Sequence, residues 1–211
     1  MTQPLEWRWL GRVPYGWTLA LQRTRRDAIV AGVAPEALWL LEHDPVITIG
    51  RRAVPEIGPA VGEVPVFRTE RGGLATWHGP GQLVGYLLVD ARRRGWSVRG
   101  IVHGIEDGII GWLAAEGVTA GRRPGAPGVW VADDKICAVG LHFRRGVSMH
   151  GFALNLTNDL AGFSAIVACG ITDGGVTTLA RLGARAPTPE HAAPSVASFV
   201  GRALDTPRNG R

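Results

Sequence analysis

The sequence predicts an α+β fold with a mixed or antiparallel β-sheet core and flanking helices. Three observations carry this. Apolar residues make up 45% of the 211 residues, enough for a sizeable core. Strand-like and helix-like segments do not follow the strict order of a doubly wound sheet. Three apolar runs between residues 129 and 156 follow one another across turn signals, as in an antiparallel meander.

In chain order, residues 5–13 read as a strand. Residues 15–31 place Leu19, Ala20, Ala28 and Ile29 at helical spacing with arginines opposite, an amphipathic helix. Residues 37–41 and 46–49 are short strands separated by the His43-Asp44-Pro45 turn signal. Residues 53–65 form a Pro/Gly loop, and 66–68 and 83–89 are strands on either side of a glycine-rich segment. Ser97 caps a helix reaching about Glu116, with Ile101, Ile105, Ile109 and Leu113 four residues apart. Residues 129–131, 136–143 and 149–156 are the meander. Asp159 caps a short helix to about Val167; residues 184–194 read as a linker, and 196–204 as a last helix.

Composition excludes several functions. The 23 basic residues are 22 arginines and one lysine, Lys135, against 18 acidic residues. A Walker-type phosphate loop needs Gly-Lys-Ser/Thr, and Lys135 follows two aspartates. The net charge of +5 favours an acidic macromolecular partner. The arginines are nevertheless scattered, with no aromatic interleaving of the kind a nucleic-acid module shows. Two cysteines, Cys137 and Cys169, make no disulfide framework and suit a reducing, cytoplasmic setting. No signal peptide or membrane span is expected. Nor is a metal site, since neither Cys-x-x-Cys nor His-x₃-His occurs.

Four constellations could carry chemistry. In Arg71–Gln82, four glycines, a proline, Arg71, His78 and Gln82 fall within twelve residues. Such a segment can bring backbone N–H groups close to a ligand, or simply be a wide hairpin loop. Cys169 precedes Gly170 and a glycine turn. It is either a core thiol or a nucleophile, and as a nucleophile it needs a basic neighbour, because a free thiol is mostly protonated at neutral pH. Lys135 opens an apolar strand, and period-two alternation puts it on the face of Cys137, Val139 and Leu141; desolvation there would make it a better base. Arginine cannot give up a proton, so a lone lysine in an arginine-rich chain suggests proton transfer. His150 and Asn155, five apart on one strand, are expected on opposite faces. Cys137, in mid-strand, reads as packing.

Together, Arg71-Gly-Gly-x-x-Thr-Trp-His-Gly-Pro-Gly-Gln-Leu-Val84, Gly128-Val-Trp-Val131, Lys135-Ile-x-Ala-Val-Gly140, His150-Gly-Phe-Ala-Leu-Asn155 and Cys169-Gly170 resemble the lipoyl(octanoyl) transferases, collinearly over about residues 46–179. The resemblance implies a biotin/lipoate protein ligase-like fold and a single catalytic acyltransferase domain over residues 1–183, with 184–211 a linker-like segment and C-terminal helix or tail. It implies transfer of octanoyl groups from octanoyl-acyl carrier protein to a lysine on the lipoyl domains of 2-oxoacid dehydrogenases and the glycine cleavage H protein, by a cytoplasmic monomer without cofactor. Cys169 matches the acyl-thioester nucleophile and Lys135 the residue that lowers its pKa and handles protons. Arg71, Gly72, Gly73, Leu74, Ala75, Thr76, Trp77 and His78, then Ala138, Val139 and Gly140, then Gly151, Phe152 and Ala153, match the substrate-binding segments. Ala168 stands where the family commonly has proline, and Trp77 where it has Tyr or Phe. The competing readings are an ATP-dependent lipoate or biotin ligase-like enzyme and a basic nucleic-acid-binding domain.

Overall fold

A computed structural model describes residues 5–52, 60–164, 166 and 175–205. Its frame is a seven-stranded mixed sheet, order β1-β2-β7-β11-β10-β9-β8, with a smaller four-stranded sheet, order β4-β5-β3-β6, beside it. The strands are β1 (Trp7–Val13), β2 (Ala37–His43), β3 (Val46–Ile49), β4 (Ala60–Val61), β5 (Val64–Arg68), β6 (Ala75–His78), β7 (Gln82–Leu88), β8 (Gly121–Arg123), β9 (Ala126–Val131), β10 (Asp134–Arg144) and β11 (Val147–Asn155). The helices are α1 (Tyr15–Val30), α2 (Val98–Ala115), α3 (Ala161–Ser164) and α4 (Pro189–Leu204). β9, β10 and β11 form the expected antiparallel meander. β6 is a strand inside the segment that reads as a glycine-rich loop.

β2, β7 and β11 are covered on both faces, so their sequences are nearly continuous apolar runs. On one face α2 and α4 pack over Leu38, Leu40, Leu83, Leu87 and Leu154; on the other α1 covers Trp39, Leu41, Val84, Leu88 and Met149. The Ser97 hydroxyl accepts from the Gly100 N–H and starts α2, whose Ile101, Ile105, Ile109 and Leu113 are fully buried. Gly108 has a packing reason: a Cβ there would lie 2.6 Å from the Val200 Cα, so α2 and α4 touch through their backbones. α4 begins at Pro189 with Thr188 as its cap, within the stretch that reads as a linker. Ala192, Ala193, Val196 and Val200 bury it in the same core as α2. Among the described residues no helix is long and apolar enough to cross a membrane.

Gly85 and Gly151 let β7 and β11 approach, a Cβ on Gly151 falling 2.1 Å from the Gly85 carbonyl oxygen. Gly85 pairs with Phe152, and a Cβ on it would lie 2.3 Å from the Phe152 ring. Phe152 also lines the cavity described below. Gly85→Ala therefore overpacks a buried ring, a change that costs about 1–3 kcal/mol. We expect it to lower Tm by about 5 °C in a thermal melt.

Candidate active site

A cavity of about 750 Å³ opens over β10 and β11, with walls from α1, β6, β7, the start of α2 and the β8–β9 turn. Of the expected substrate residues, Arg71, Gly72, Gly73, Leu74, Thr76, His78, Ala138, Val139, Gly140, Gly151, Phe152 and Ala153 line it, as does Lys135. Ala75 and Trp77 do not. β6 pairs with β3, and strand alternation turns Thr76 and His78 to the cavity while Ala75 and Trp77 join Ile47, Ile49 and Phe163 in a separate core. Trp77 lies against Gly79 and Gly162, where an added Cβ would sit 2.2 Å and 2.4 Å from its indole. The larger ring is thus accommodated away from the cavity.

The glycine-rich segment is tied down by its backbone. The Gly72 N–H donates to the Leu141 carbonyl and the Gly50 N–H to that of Leu74, both at 3.0 Å. Gly73 takes a left-handed φ of 87°, and a Cβ on Gly50 would stand 2.5 Å from the Gly73 carbonyl oxygen. Arg71 is buried and turned inward, donating to the Thr48 carbonyl at 2.6 Å, the Thr48 hydroxyl at 2.9 Å and 3.2 Å, and the Gly72 carbonyl at 3.0 Å.

Hydrogen bonds settle the histidine tautomers. The Val13 carbonyl, 2.7 Å from His43 Nδ1, can only accept. Nδ1 therefore carries the proton, and Nε2 accepts from the Tyr86 hydroxyl at 2.6 Å. His78 Nδ1 lies 2.7 Å from Gln82 Oε1. The Gln82 amide nitrogen donates to Asn155 Oδ1 at 2.9 Å and to the Trp77 carbonyl at 3.3 Å. Gln82 Oε1 is thus the acceptor, and His78 donates from Nδ1.

His150 breaks the strand pattern. Its φ of 61° is left-handed, its N–H donates to Gln22 Oε1 of α1 at 2.8 Å, and its ring lies edge-on to Tyr86. A left-handed residue inverts side-chain parity, so the ring lines the cavity instead of the α2 face. The opposite-face placement of His150 and Asn155 expected from alternation accordingly fails: Asn155 also lies on the Gln82 and Tyr86 side, bonded to Gln82.

Burial holds all three histidines neutral. Desolvation pushes His43 down to about 4. It pushes His78 and His150 down to about 3, with Arg71 adding repulsion to both. These folded values lie below the ordinary 6.5, so the stabilisation is intact above pH 6.5 and is lost as pH falls towards 4, where only the unfolded chain gains the protons. From pH 7.5 to 5.5 each histidine costs about 1.4 kcal/mol and the three together about 4 kcal/mol. Urea unfolding should show that drop, and about a third less of it in His43→Gln.

Lys135 is buried, its Nζ 4.8 Å from the centre of the Trp130 ring. The Arg123 guanidinium lies 5.1 Å from the same ring. The register of β10 against β9 slips between Lys135 and Cys137. This bulge breaks the period-two pattern: Lys135 enters the cavity, whereas Cys137 is fully buried in the α2 core. The expected shared face is overturned. Burial also pushes the Cys137 thiol far up, as suits a packing residue. The Lys135 N–H donates to the Gly175 carbonyl at 3.0 Å, and the Lys135 carbonyl accepts from the Thr177 N–H at 3.1 Å. Cys169 lies outside the described residues, as does Gly170.

Tyr15, Tyr86, Val84, Arg51 and Arg52 line the cavity too, and the sequence reading missed them. Tyr86 had a signal: it follows Gln82 and Val84 on alternate positions of β7. Tyr15 and the arginines reach the cavity only through tertiary packing.

The profile of the family described as the lipoyl protein ligase A/B catalytic domain matches residues 14–200. By structure the chain resembles lipoate-protein ligase A bound with ATP, with a TM-score of 0.71 and 16% identity over 99% of this chain and 89% of that one. It also resembles the Aquifex aeolicus biotin protein ligase, with a TM-score of 0.56 and 11% identity over 94% of this chain and 70% of that one. The fold is thus that of the lipoate and biotin protein ligases. Relatives in sequence include octanoyltransferases of Mycobacterium sp. (strain KMS), 47% identical over 97% of this chain and 87% of theirs, and of Novosphingobium aromaticivorans, 45% identical over 93% and 91%. The chain belongs to the lipoyl protein ligase A/B catalytic-domain family, among its octanoyltransferases.

Proposed function

We propose that this octanoyltransferase of lipoate biosynthesis draws its acyl group from octanoyl-acyl carrier protein and delivers it to a lysine of lipoyl domains through a thioester on Cys169, with Lys135 moving the protons. The observation that supports the dyad is the placement of Lys135. It is the sole lysine of the chain, its side chain is in the cavity, and its backbone is bonded on both sides to residues 175 and 177. Gly175 is six residues beyond Cys169, so the Cys169 Cα is tethered within roughly 21 Å of that anchor.

The chemistry runs in two halves. Lys135, as the free amine, takes the Cys169 proton; the thiolate attacks the donor thioester; the collapsing intermediate expels the pantetheine thiolate, which takes the proton back from Lys135. The acceptor lysine amine then attacks the Cys169 thioester, passes its proton to Lys135 and forms the amide as the cysteine thiolate leaves. The six methylenes of an octanoyl chain are worth about 5 kcal/mol when buried. Val84, Val139 and Phe152 offer apolar wall for that. Arg51, Arg52 and Arg123 stand around the same cavity and suit an acidic carrier. The reading places the enzyme in the cytoplasm as a monomer.

The test is conversion of apo-lipoyl domain to its octanoyl form with octanoyl-acyl carrier protein and no ATP. Turnover under those conditions supports transfer; a requirement for free octanoate and ATP would make the chain a ligase. The rate at sub-saturating carrier should fall several-fold between 50 and 300 mM salt. A rate indifferent to salt would remove the steering role of the arginines.

A further inference from the structure

One chain of hydrogen bonds crosses the site, and every link points the same way. The Arg71 guanidinium donates to the Thr48 hydroxyl. That hydroxyl lies 3.4 Å from His78 Nε2, which carries no proton because Nδ1 does, so Thr48 donates. His78 donates to Gln82, Gln82 to Asn155, and Asn155 Nδ2 to the Thr177 carbonyl at 3.0 Å. The Thr177 N–H donates to the Lys135 carbonyl at 3.1 Å. The side-chain run begins at a cation and ends on the Thr177 carbonyl, and the N–H of the same residue, in the preceding peptide unit, ties it to the backbone of the lysine. Thr48, His78, Gln82, Asn155 and Thr177 are all buried.

A second connection ties the far end. The Leu179 N–H donates to the Asn155 carbonyl, and the Lys135 N–H to the Gly175 carbonyl. Val176 bridges to Lys135 in parallel fashion. Asn155 thus grips the segment 177–179 through both its side chain and its backbone, while β10 grips the same segment through Lys135. Neither amide can flip: a turned Asn155 would set its NH₂ against that of Gln82 and its oxygen against the Thr177 carbonyl. From Arg71 to the Thr177 carbonyl the donors point one way and polarise cooperatively; beyond it the tie to Lys135 is mechanical, because the Thr177 C=O and N–H belong to different peptide units.

We propose that Gln82 and Asn155 are positioning residues that lock the Arg71–His78 wall of the cavity to the backbone of Lys135, so that acyl-binding wall and proton-transfer group keep one fixed relation. Neither residue lines the cavity. The inference rests on the reading of Lys135 and Cys169 as the working pair.

The experiment is a double-mutant cycle of Thr48→Val and Asn155→Ala, read as the single-turnover rate of Cys169 octanoylation from octanoyl-acyl carrier protein. The two residues sit at opposite ends of the chain and share no hydrogen bond. Asn155→Ala removes the donor to the Thr177 carbonyl and one of the two acceptors of the Gln82 amide, and should slow acylation about 30-fold, and Thr48→Val about 5-fold. KM for the carrier should stay within about threefold, because the effect lies on the chemical step. The double variant should be slowed by less than the product of the singles, by a factor of about five. If Asn155→Ala does not fold, Gln82→Met replaces it in the cycle. Rates that multiply to within twofold, or a rise in KM at constant kcat, would overturn the relay. Wild-type protein that takes up no octanoyl group would instead overturn the functional reading beneath it.

Discussion

Mixed with octanoyl-acyl carrier protein in the absence of ATP, the protein should gain the mass of one octanoyl group; hydroxylamine should remove it, and Cys169→Ser should not acquire it. The expectation follows from the two thiols. Cys137 is fully buried in the α2 core, and its thiol is pushed far up by burial, with the Glu106 carboxylate adding to the shift. A thiol held protonated is no nucleophile. Cys169 is the other cysteine of the chain, and it lies six residues before the Gly175 anchor on Lys135. Thioester exchange is nearly thermoneutral, so the adduct should accumulate until an acceptor amine arrives. Serine at 169 would need a far stronger base, and turnover should fall at least 10³-fold. An adduct that mapped to Cys137, or that survived Cys169→Ser, would refute the assignment.

Lys135→Arg should lose about 10³-fold in kcat while folding normally. Arginine preserves the positive charge and can stack on Trp130 as Lys135 does at 4.8 Å, but it stays protonated at any working pH. General acid–base catalysis is typically worth 10²–10⁴-fold, and the proposed cycle uses it in both halves. Lys135→Met removes the charge as well and should additionally slow alkylation of Cys169 by iodoacetamide. The comparison separates two roles. Near wild-type turnover in Lys135→Arg would mean that the lysine acts only through its field. Equal alkylation rates in Lys135→Met and wild type would mean that it does not lower the thiol pKa.

Much of this was readable from residues alone. The helices α1 and α2 follow from apolar spacing, and the Ser97 cap from local chemistry. The meander follows from alternation and turns. The glycine-rich segment stood out because glycines, Arg71, His78 and Gln82 crowd into twelve positions, and Lys135 because arginine fills every other basic position. These are local signals, carried by neighbouring side chains and backbone preferences.

What failed shares one cause. Ala75 and Trp77 came with Thr76 and His78 in the segment that the family resemblance marks, yet the pairing of β6 with β3 makes alternate residues face opposite ways. Lys135 and Cys137 were put on one face because they stand two positions apart, yet the slip against β9 inserts a bulge. His150 was assigned by parity, yet its left-handed φ reverses it. A bulge or a left-handed residue changes the facing of a side chain without changing composition, and its location depends on which strand pairs where.

The sequence by itself determined the main helices and the meander, the family-bearing motifs and the identity of the acid–base candidate. These rest on propensity, periodicity and side-chain chemistry, which are properties of short stretches. Only the tertiary structure decided that His78, Gln82 and Asn155 form a single donor chain ending on the Thr177 carbonyl, with Thr177 in turn bonded to the Lys135 backbone. Gln82 and Asn155 are 73 positions apart. Their contact exists because β7 and β11 pair in register, and no local pattern in either strand encodes that register.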